Sequence, residues 1–193
     1  MKRILYIPML TLCVGILCCC CHGKKDGKEN AFHFGSKQKE IIRLYNLADS
    51  IYYKENRIDT ALFERFIRTA VDFAEKYPND EISSEMLYRS AVGSMILAKA
   101  APDRPNTAEY AKQAIAILNQ YQKQYPEGDH AEYCYYMRGI IYDDILGDIR
   151  SAENEFRDFI NRNPKDSLTP QLEQYIKMLG MDESQLNQKL DIE

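Results

Sequence analysis

The chain has 193 residues, 45% of them hydrophobic, and a net charge of −4 at pH 7. This length suits one domain once terminal signals are set aside. The negative balance argues against a nucleic-acid-binding protein, because phosphates require a basic face. Ala, Leu, Glu, Lys and Gln are common, and the sequence carries almost no strand signal, so we predict an all-α fold.

The first residues have the organisation of an export signal. A positively charged start precedes an apolar run over residues 4–17, and four consecutive cysteines, Cys18–Cys21, follow it. Leu17 lies three residues before Cys20, the spacing of bacterial lipoprotein signals, which this segment resembles. The resemblance implies a signal peptide over residues 1–19 and lipid attachment at Cys20, and it leaves the neighbouring cysteines open as alternatives: Cys18, Cys19 and Cys21.

The resemblance also implies a location: lipid-anchored in the outer membrane and facing the periplasm. Two other interpretations stay open. The apolar run could be an uncleaved anchor, although it is at the short limit for spanning a bilayer. The cysteines could bind a metal, although metal ligands are normally spaced as in C-x-x-C. Residues 20–36 are polar and predict a flexible tether, which leaves residues 37–193 as the helical domain.

Apolar residues spaced three and four apart predict six main helices, at about residues 37–54, 60–77, 83–100, 107–125, 130–146 and from 148 onward. Thr60, Asp129 and Asp148 are the predicted caps of three of them. A proline-rich stretch over 101–106 predicts a longer loop. Gly147 predicts a left-handed stop before Asp148. Two short helices end the chain, one opening at Thr169 and one capped by Asp182, and together they predict a terminal cap.

One layout recurs along the chain. Tyr77-Pro78 is followed by Ala91, and Tyr125-Pro126 by Gly139, with each small residue thirteen positions past the proline. A third aromatic-rich run ends on Asn163-Pro164. A segment that recurs with proline at its end is typical of helix-pair repeats, which bury their core only by stacking on neighbours.

The clearest unit resembles a tetratricopeptide repeat. It carries, in order, Ala131, Tyr135, Gly139, Tyr142, Leu146-Gly147-Asp148, Ala152, Phe156 and Pro164. One residue more than the usual spacing falls before Ala152. The resemblance implies a right-handed superhelical stack of antiparallel helix pairs, with about three repeats and the cap. The Tyr-Pro endings also resemble outer-membrane lipoproteins of the BamD type, which implies a role in outer-membrane protein assembly.

In such stacks the first helix of each pair lines a concave groove. If Ala48, Ala91 and Gly139 are equivalent, the residues three before them form a ladder of tyrosines, whose rings and hydroxyls suit a peptide backbone. The residues predicted to bind a partner are Tyr45, Asp49, Tyr52, Tyr88, Met95, Tyr133, Tyr136, Ile140, Asp143 and Asp144. The alternative for each is structural: tyrosines that pack between repeats, and aspartates that face water.

The sequence lacks enzyme motifs. It has no glycine-rich phosphate loop, no nucleophile-histidine-acid pattern and no spaced metal ligands. We therefore expect no catalytic activity, no cofactor, no metal and no small-molecule substrate. Cys134 has no disulfide partner in the predicted domain. The expected function is a scaffold that binds protein or peptide partners in the envelope. The alternative is a structural subunit that uses its repeats for self-association or to brace a larger complex.

Overall fold

The computed structural model describes residues 28–181 and 185, and this part of the chain is helical with no strand. The predicted signal peptide, Cys20 and Asp182, the predicted cap of the last helix, lie outside the described residues. The helices are α1 Lys28–Glu55, α2 Thr60–Lys76, α3 Ser83–Ala100, α4 Arg104–Gln124, α5 Tyr133–Ile140, a π segment Ile141–Leu146, α6 Ile149–Arg162 and α7 Thr169–Ile176. They pack in sequence order as adjacent pairs. The all-α prediction is confirmed at this level.

The chain leaves α2, α4 and α6 through the same turn. The residues that directly follow these helices have nearly equal φ angles of −131°, −132° and −124°, at Tyr77, Tyr125 and Asn163. A proline follows each of them and disfavours further helix. Each carbonyl then accepts the N–H three residues on, at 3.1, 3.0 and 3.1 Å, from Asp80, Gly128 and Asp166. The recurring prolines therefore mark one recurring local structure.

The second helix of each pair begins at an aspartate. The side chains of Asp59, Asp103 and Asp148 each accept the backbone N–H three residues on, at 3.1, 2.9 and 3.1 Å. This satisfies one of the donors that a helix start leaves unpaired. The cap predicted at Asp148 is confirmed, whereas that at Thr60 is wrong by one residue. Asp129 is also not a cap, because the turn after Pro126 continues to Glu132 and α5 begins without a side-chain cap.

Two predicted boundaries are corrected. α1 begins at Lys28 rather than at residue 37, so its first turns lie within the segment predicted as a tether. The long loop predicted over 101–106 is wrong, because α4 already begins at Arg104. Pro105 is tolerated in the first turn, where the missing N–H would have no partner within the helix.

The first helix of the third pair is not a uniform α-helix. It was predicted to run to residue 146, but the π segment replaces its last six residues. The segment ends at Gly147, whose φ of 70° is left-handed as predicted, and the Asp148 N–H bonds back to the Tyr142 carbonyl at 2.8 Å. A π turn accommodates one extra residue in a helix. The segment lies in the stretch, before Ala152, where the sequence has one residue more than the repeat that it resembles.

Two groups of buried side chains hold the pairs together. The main core joins α1 through α5, and the second core lies between α5, α6 and α7 around Phe156 and Phe159. Gly139 is the closest approach, because a Cβ placed there would lie 2.3 Å from the Phe156 ring. The predicted role of this small residue in close helix packing is confirmed.

Candidate functional site

The first helices of the pairs stand side by side and are joined by polar side chains. We call α1, α3, α5 with the π segment, and α7 the first-helix row. Arg89 on α3 donates to the Tyr45 hydroxyl on α1, and Lys99 on α3 donates to Asp144 in the π segment at 3.2 Å. Tyr175 on α7 donates to Asp143. Each neighbouring pair of first helices thus has a direct polar contact.

The contact between α1 and α3 is part of a longer network. The Arg89 guanidinium lies over the Tyr45 ring, 4.9 Å from its centroid, and its Nε donates to Glu85 at 2.5 Å. Tyr45 in turn donates to Asp49 at 3.4 Å. The other Glu85 oxygen is 2.7 Å from Nε2 of His130, at the start of the third pair. One carboxylate therefore connects α3 with the turn before α5.

The charges in this network favour ionised Glu85. The hydrogen bond from His130 is the largest cause, and Arg89 adds to it against the cost of burial, so that the pKa of Glu85 falls to about 2. Burial raises the pKa of Tyr45 to about 12, with Arg89 acting in the opposite direction. The phenol therefore stays protonated and remains a hydrogen-bond donor at neutral pH.

The three tyrosines of the predicted ladder share one mode of packing. Tyr45 contacts Phe66 with ring centroids 5.5 Å apart, and Tyr88 contacts Tyr121 at 5.9 Å. Tyr136 contacts Phe159 at 6.0 Å and Phe156 at 6.2 Å. Each ring thus packs on the second helix of its own pair while its side chain stays half-buried. The three tyrosines therefore occupy corresponding positions in their pairs, and much of each ring is used in packing within the pair.

Tyr88 is the most enclosed of the three. Its ring stacks on His130 with centroids 4.0 Å apart and planes 10° from parallel. Burial raises its pKa above the ordinary range of tyrosine. Tyr88 therefore offers a partner less surface than the sequence suggested.

The other predicted residues divide between surface and core. Tyr52 makes an edge contact with Phe63, Met95 packs on the main core, and Ile140 packs on the second core. Tyr133 is exposed, but its hydroxyl bonds Asp166 at 3.1 Å beyond α6. Asp144 is half exposed at the row, and Asp143 is partly buried, which raises its pKa. Of the ten residues predicted to bind a partner, Tyr133 and Asp144 are exposed and the other eight are partly exposed.

Sequence reasoning missed several residues of the row: Glu85, Arg89, Lys99, His130 and Tyr175. Glu85 and Arg89 are four apart on one helix, and this spacing is a signal for a pair on one face. The contact of Glu85 with His130 joins residues 45 apart, and no local pattern predicts it.

The described residues have open grooves and no group of side chains suited to a metal ion. No group of histidine, cysteine or acidic side chains in residues 28–181 could hold a metal ion. Two grooves are open to solvent, one of about 520 Å³ between α1 and α2 and one of about 390 Å³ between α6 and α7. In the same part of the chain, no helix combines the length and apolarity that crossing a bilayer requires.

A scan against protein families finds none that matches this chain, and a search of curated proteins also finds no match. The fold and the site define the class: an all-α protein of successive helix pairs, with a row of first helices joined by polar contacts.

Proposed function

We propose that this chain is a tetratricopeptide-like scaffold of the bacterial envelope, lipid-anchored through Cys20, which binds a protein or peptide through the first-helix row. The proposed location is the periplasmic side of the outer membrane, and a role in outer-membrane protein assembly is the process we favour. Neither cofactor nor small-molecule substrate takes part in this function.

The observation that carries the proposal is the row itself. The three recurring turns and the three aspartate caps repeat the same local structure in successive pairs, which supports a stacked repeat. The polar contacts between neighbouring first helices fix their spacing along the row. A surface of fixed spacing can bind a partner with less loss of conformational entropy than a mobile one.

The exposed and partly exposed groups of the row suit a segment with apolar anchors and basic residues. Asp49, Asp143 and Asp144 supply negative charge, and Tyr52 and Tyr136 supply apolar edges with hydroxyl groups. An extended or helical segment can lie across several first helices at once.

Site-specific photocross-linking tests this function. A photoreactive residue is placed in the row at Asp49, Val92 or Asp144, and on second helices at the exposed residues Asp72 or Asp158. We expect a heterologous partner to cross-link from the row positions and not from the second helices. Charge reversal by Asp49→Lys with Asp144→Lys should weaken this cross-link, whereas Asp72→Lys with Asp158→Lys should leave it unchanged.

The same experiment distinguishes partner binding from the alternative function, a structural subunit. A cross-linked product of two copies of this chain would favour a subunit that self-associates. Equal labelling from both sets of positions would refute the groove. Replacing the ladder tyrosines by alanine is a poorer test, because their rings pack on the second helices and their loss would destabilise the pairs.

The anchor has its own test. Labelled palmitate should enter the wild-type chain and not a Cys20→Ala variant. Continued labelling of the variant would show that the lipid is attached to a neighbouring cysteine. Absence of label from the wild-type chain would refute the lipoprotein proposal.

A further inference from the structure

α1 carries an exposed stripe that the pairing of helices leaves uncovered. Its members lie at helical spacing along one side: Lys39, Ile42, Arg43, Leu47, Tyr53 and Lys54. Ile42, Leu47 and Tyr53 are 39, 46 and 54% exposed. Only one other large hydrophobic residue among those the structure describes is exposed to this degree, Tyr133. Exposed apolar surface is thus concentrated on α1, the first helix of the first described pair.

The charge on this stripe has one sign. Between residues 39 and 54, α1 has two acidic residues, Glu40 and Asp49, and neither is a member of the stripe. Glu40 accepts from Arg65 of α2 at 2.6 Å, and Asp49 accepts from Tyr45 of α1 itself at 3.4 Å. The stripe therefore presents cations beside separate apolar side chains. The groove of about 520 Å³ between α1 and α2 continues it, lined by Leu44, Leu47, Leu62, Ser36, the cations Lys39, Arg43 and Arg65, and Glu40, which is paired with Arg65.

We propose that this stripe rests on an anionic lipid surface and lays α1 along the membrane. A helix that lies in the membrane interface buries apolar side chains at the level of the headgroups, while its lysines and arginines bind lipid phosphates. Isolated apolar side chains between cations suit headgroups and acyl chains better than a dry protein interface, whose centre is depleted of charge.

The short stretch of chain between Cys20 and α1 also favours the membrane as the surface that the stripe contacts. The inference rests on the proposed lipid at Cys20 for this step only. Eight residue steps separate Cys20 from the start of α1 at Lys28, a reach of no more than about 28 Å. The beginning of α1 is thereby held close to the headgroups. A bound stripe fixes the orientation of α1, and with it the direction in which the first-helix row faces.

The test uses the full lipidated chain in vesicles, with a photoreactive residue at Leu47 or, as a control, at the exposed Asn119 of α4. The vesicles contain phosphatidylcholine alone or with about 30% phosphatidylglycerol. We expect label transfer to lipid from position 47 to exceed that from 119 by about fivefold or more in the anionic vesicles. It should fall toward the control level in about 0.5 M salt, which screens exposed charges.

A matched pair of variants tests the charges. Lys39→Glu with Arg43→Glu should remove most lipid labelling from position 47. Lys112→Glu with Lys123→Glu, the same charge change at exposed positions of α4, should preserve it. Equal labelling from 47 and 119 would overturn the inference, as would cross-linking from 47 to a second copy or to another protein.

A flotation experiment distinguishes failure of the stripe inference from failure of the proposed lipid anchor at Cys20. A lipidated chain floats with neutral vesicles in high salt whatever its α1 stripe does. If it floats but position 47 does not reach lipid, the stripe inference fails and the anchor stands. If it does not float with neutral vesicles, the anchor fails. The stripe inference then requires salt-sensitive flotation with the anionic vesicles, and it fails if none is seen.

Discussion

The α3–α4 pair and the α5–α6 pair begin alike and continue differently. Each follows a proline through the same turn and carries a tyrosine ten residues later, Tyr88 or Tyr136. α3 then runs as one α-helix of 18 residues, whereas α5 gives way to the π segment after eight. The π segment places its aspartates toward both neighbours, one on α7 and one on α3. The recurring turn therefore sets where a pair begins, and the interior of its first helix sets which neighbours it contacts.

The twelfth residue after the proline shows the difference most clearly. In α3 it is Ser90, which is buried and donates to the Met86 carbonyl of its own helix at 2.7 Å. In α5 it is Arg138, which is equally enclosed but reaches both neighbours, donating to Gln122 of α4 at 2.6 Å and to Glu155 of α6 at 2.8 Å. One buried polar side chain is satisfied locally and the other joins three helices.

The largest expected effect comes from removing Arg138. Arg138→Met should lower the free energy of unfolding by about 3 kcal/mol, because it leaves Glu155 largely buried without its cation. Ser90→Ala should cost less than about 1 kcal/mol, since it loses one bond to a carbonyl already used in the helix. Urea denaturation measures both. Equal losses would show that the two positions are energetically alike.

A control for Arg138 lies on α6. Arg157 forms an exposed pair with Glu153 at 2.6 Å, and such pairs contribute little. Arg157→Met should therefore leave the unfolding midpoint nearly unchanged.

The next effect contrasts two helical glycines. Gly139→Ala places a methyl group within 2.3 to 2.9 Å of the Phe156 ring and should cost about 1–3 kcal/mol. Gly93→Ala meets Phe63 and Ile67 at 3.3 and 3.4 Å, and the gain in helix propensity offsets this mild contact. Its melting temperature should change little. Phe156→Leu should relieve part of the Gly139→Ala penalty in the double variant, and additive losses would contradict the assigned contact.

The caps of the second helices should behave alike in both pairs. Asp103→Ala removes the acceptor for the Asn106 N–H and should lower the free energy of unfolding by about 1 kcal/mol. Asp148→Ala should also destabilise, in the same direction, because its carboxylate has the same role for Ser151. A thermal melt measures each. If only one variant loses stability, the two helix starts are not equivalent.

The smallest expected effect concerns the hydrogen bond between Glu85 of α3 and His130, which precedes α5. The pKa of Glu85 is lowered from 4.5 to about 2, mainly by His130, so ionised Glu85 stabilises the folded chain. This stabilisation is complete above pH 4.5 and is lost as the pH falls toward 2. Because the Glu85 side chain is 37% exposed, its contribution should stay below about 1 kcal/mol. Glu85→Gln should remove this part of the acid dependence in denaturation at several pH values, and an unchanged profile would contradict it.

Local chemistry made much of the fold predictable. α2 and α3 lie where the apolar spacing placed them, and Gly147 and Asp148 end and begin helices as their conformational preferences indicate. The failures were also local. Asp59 and Thr60 are adjacent residues that can both cap a helix, so the sequence did not choose between them. We predicted a loop around Pro105 because the apolar spacing does not show that this proline lies in the first turn of α4, where helices accept proline.

The sequence by itself determined the all-α class and the recurring proline turn, because these follow from backbone preferences within a few residues. Only the tertiary structure decided that the last six residues of the fifth predicted helix form a π segment. The tertiary structure alone brought Glu85 to His130 and Arg89 to Tyr45, since these contacts join residues more than forty apart. It also decided what fraction of each ladder tyrosine ring is buried against other side chains. A tyrosine can lie partly in a core and partly at a surface, and the helices packed around it set the buried fraction.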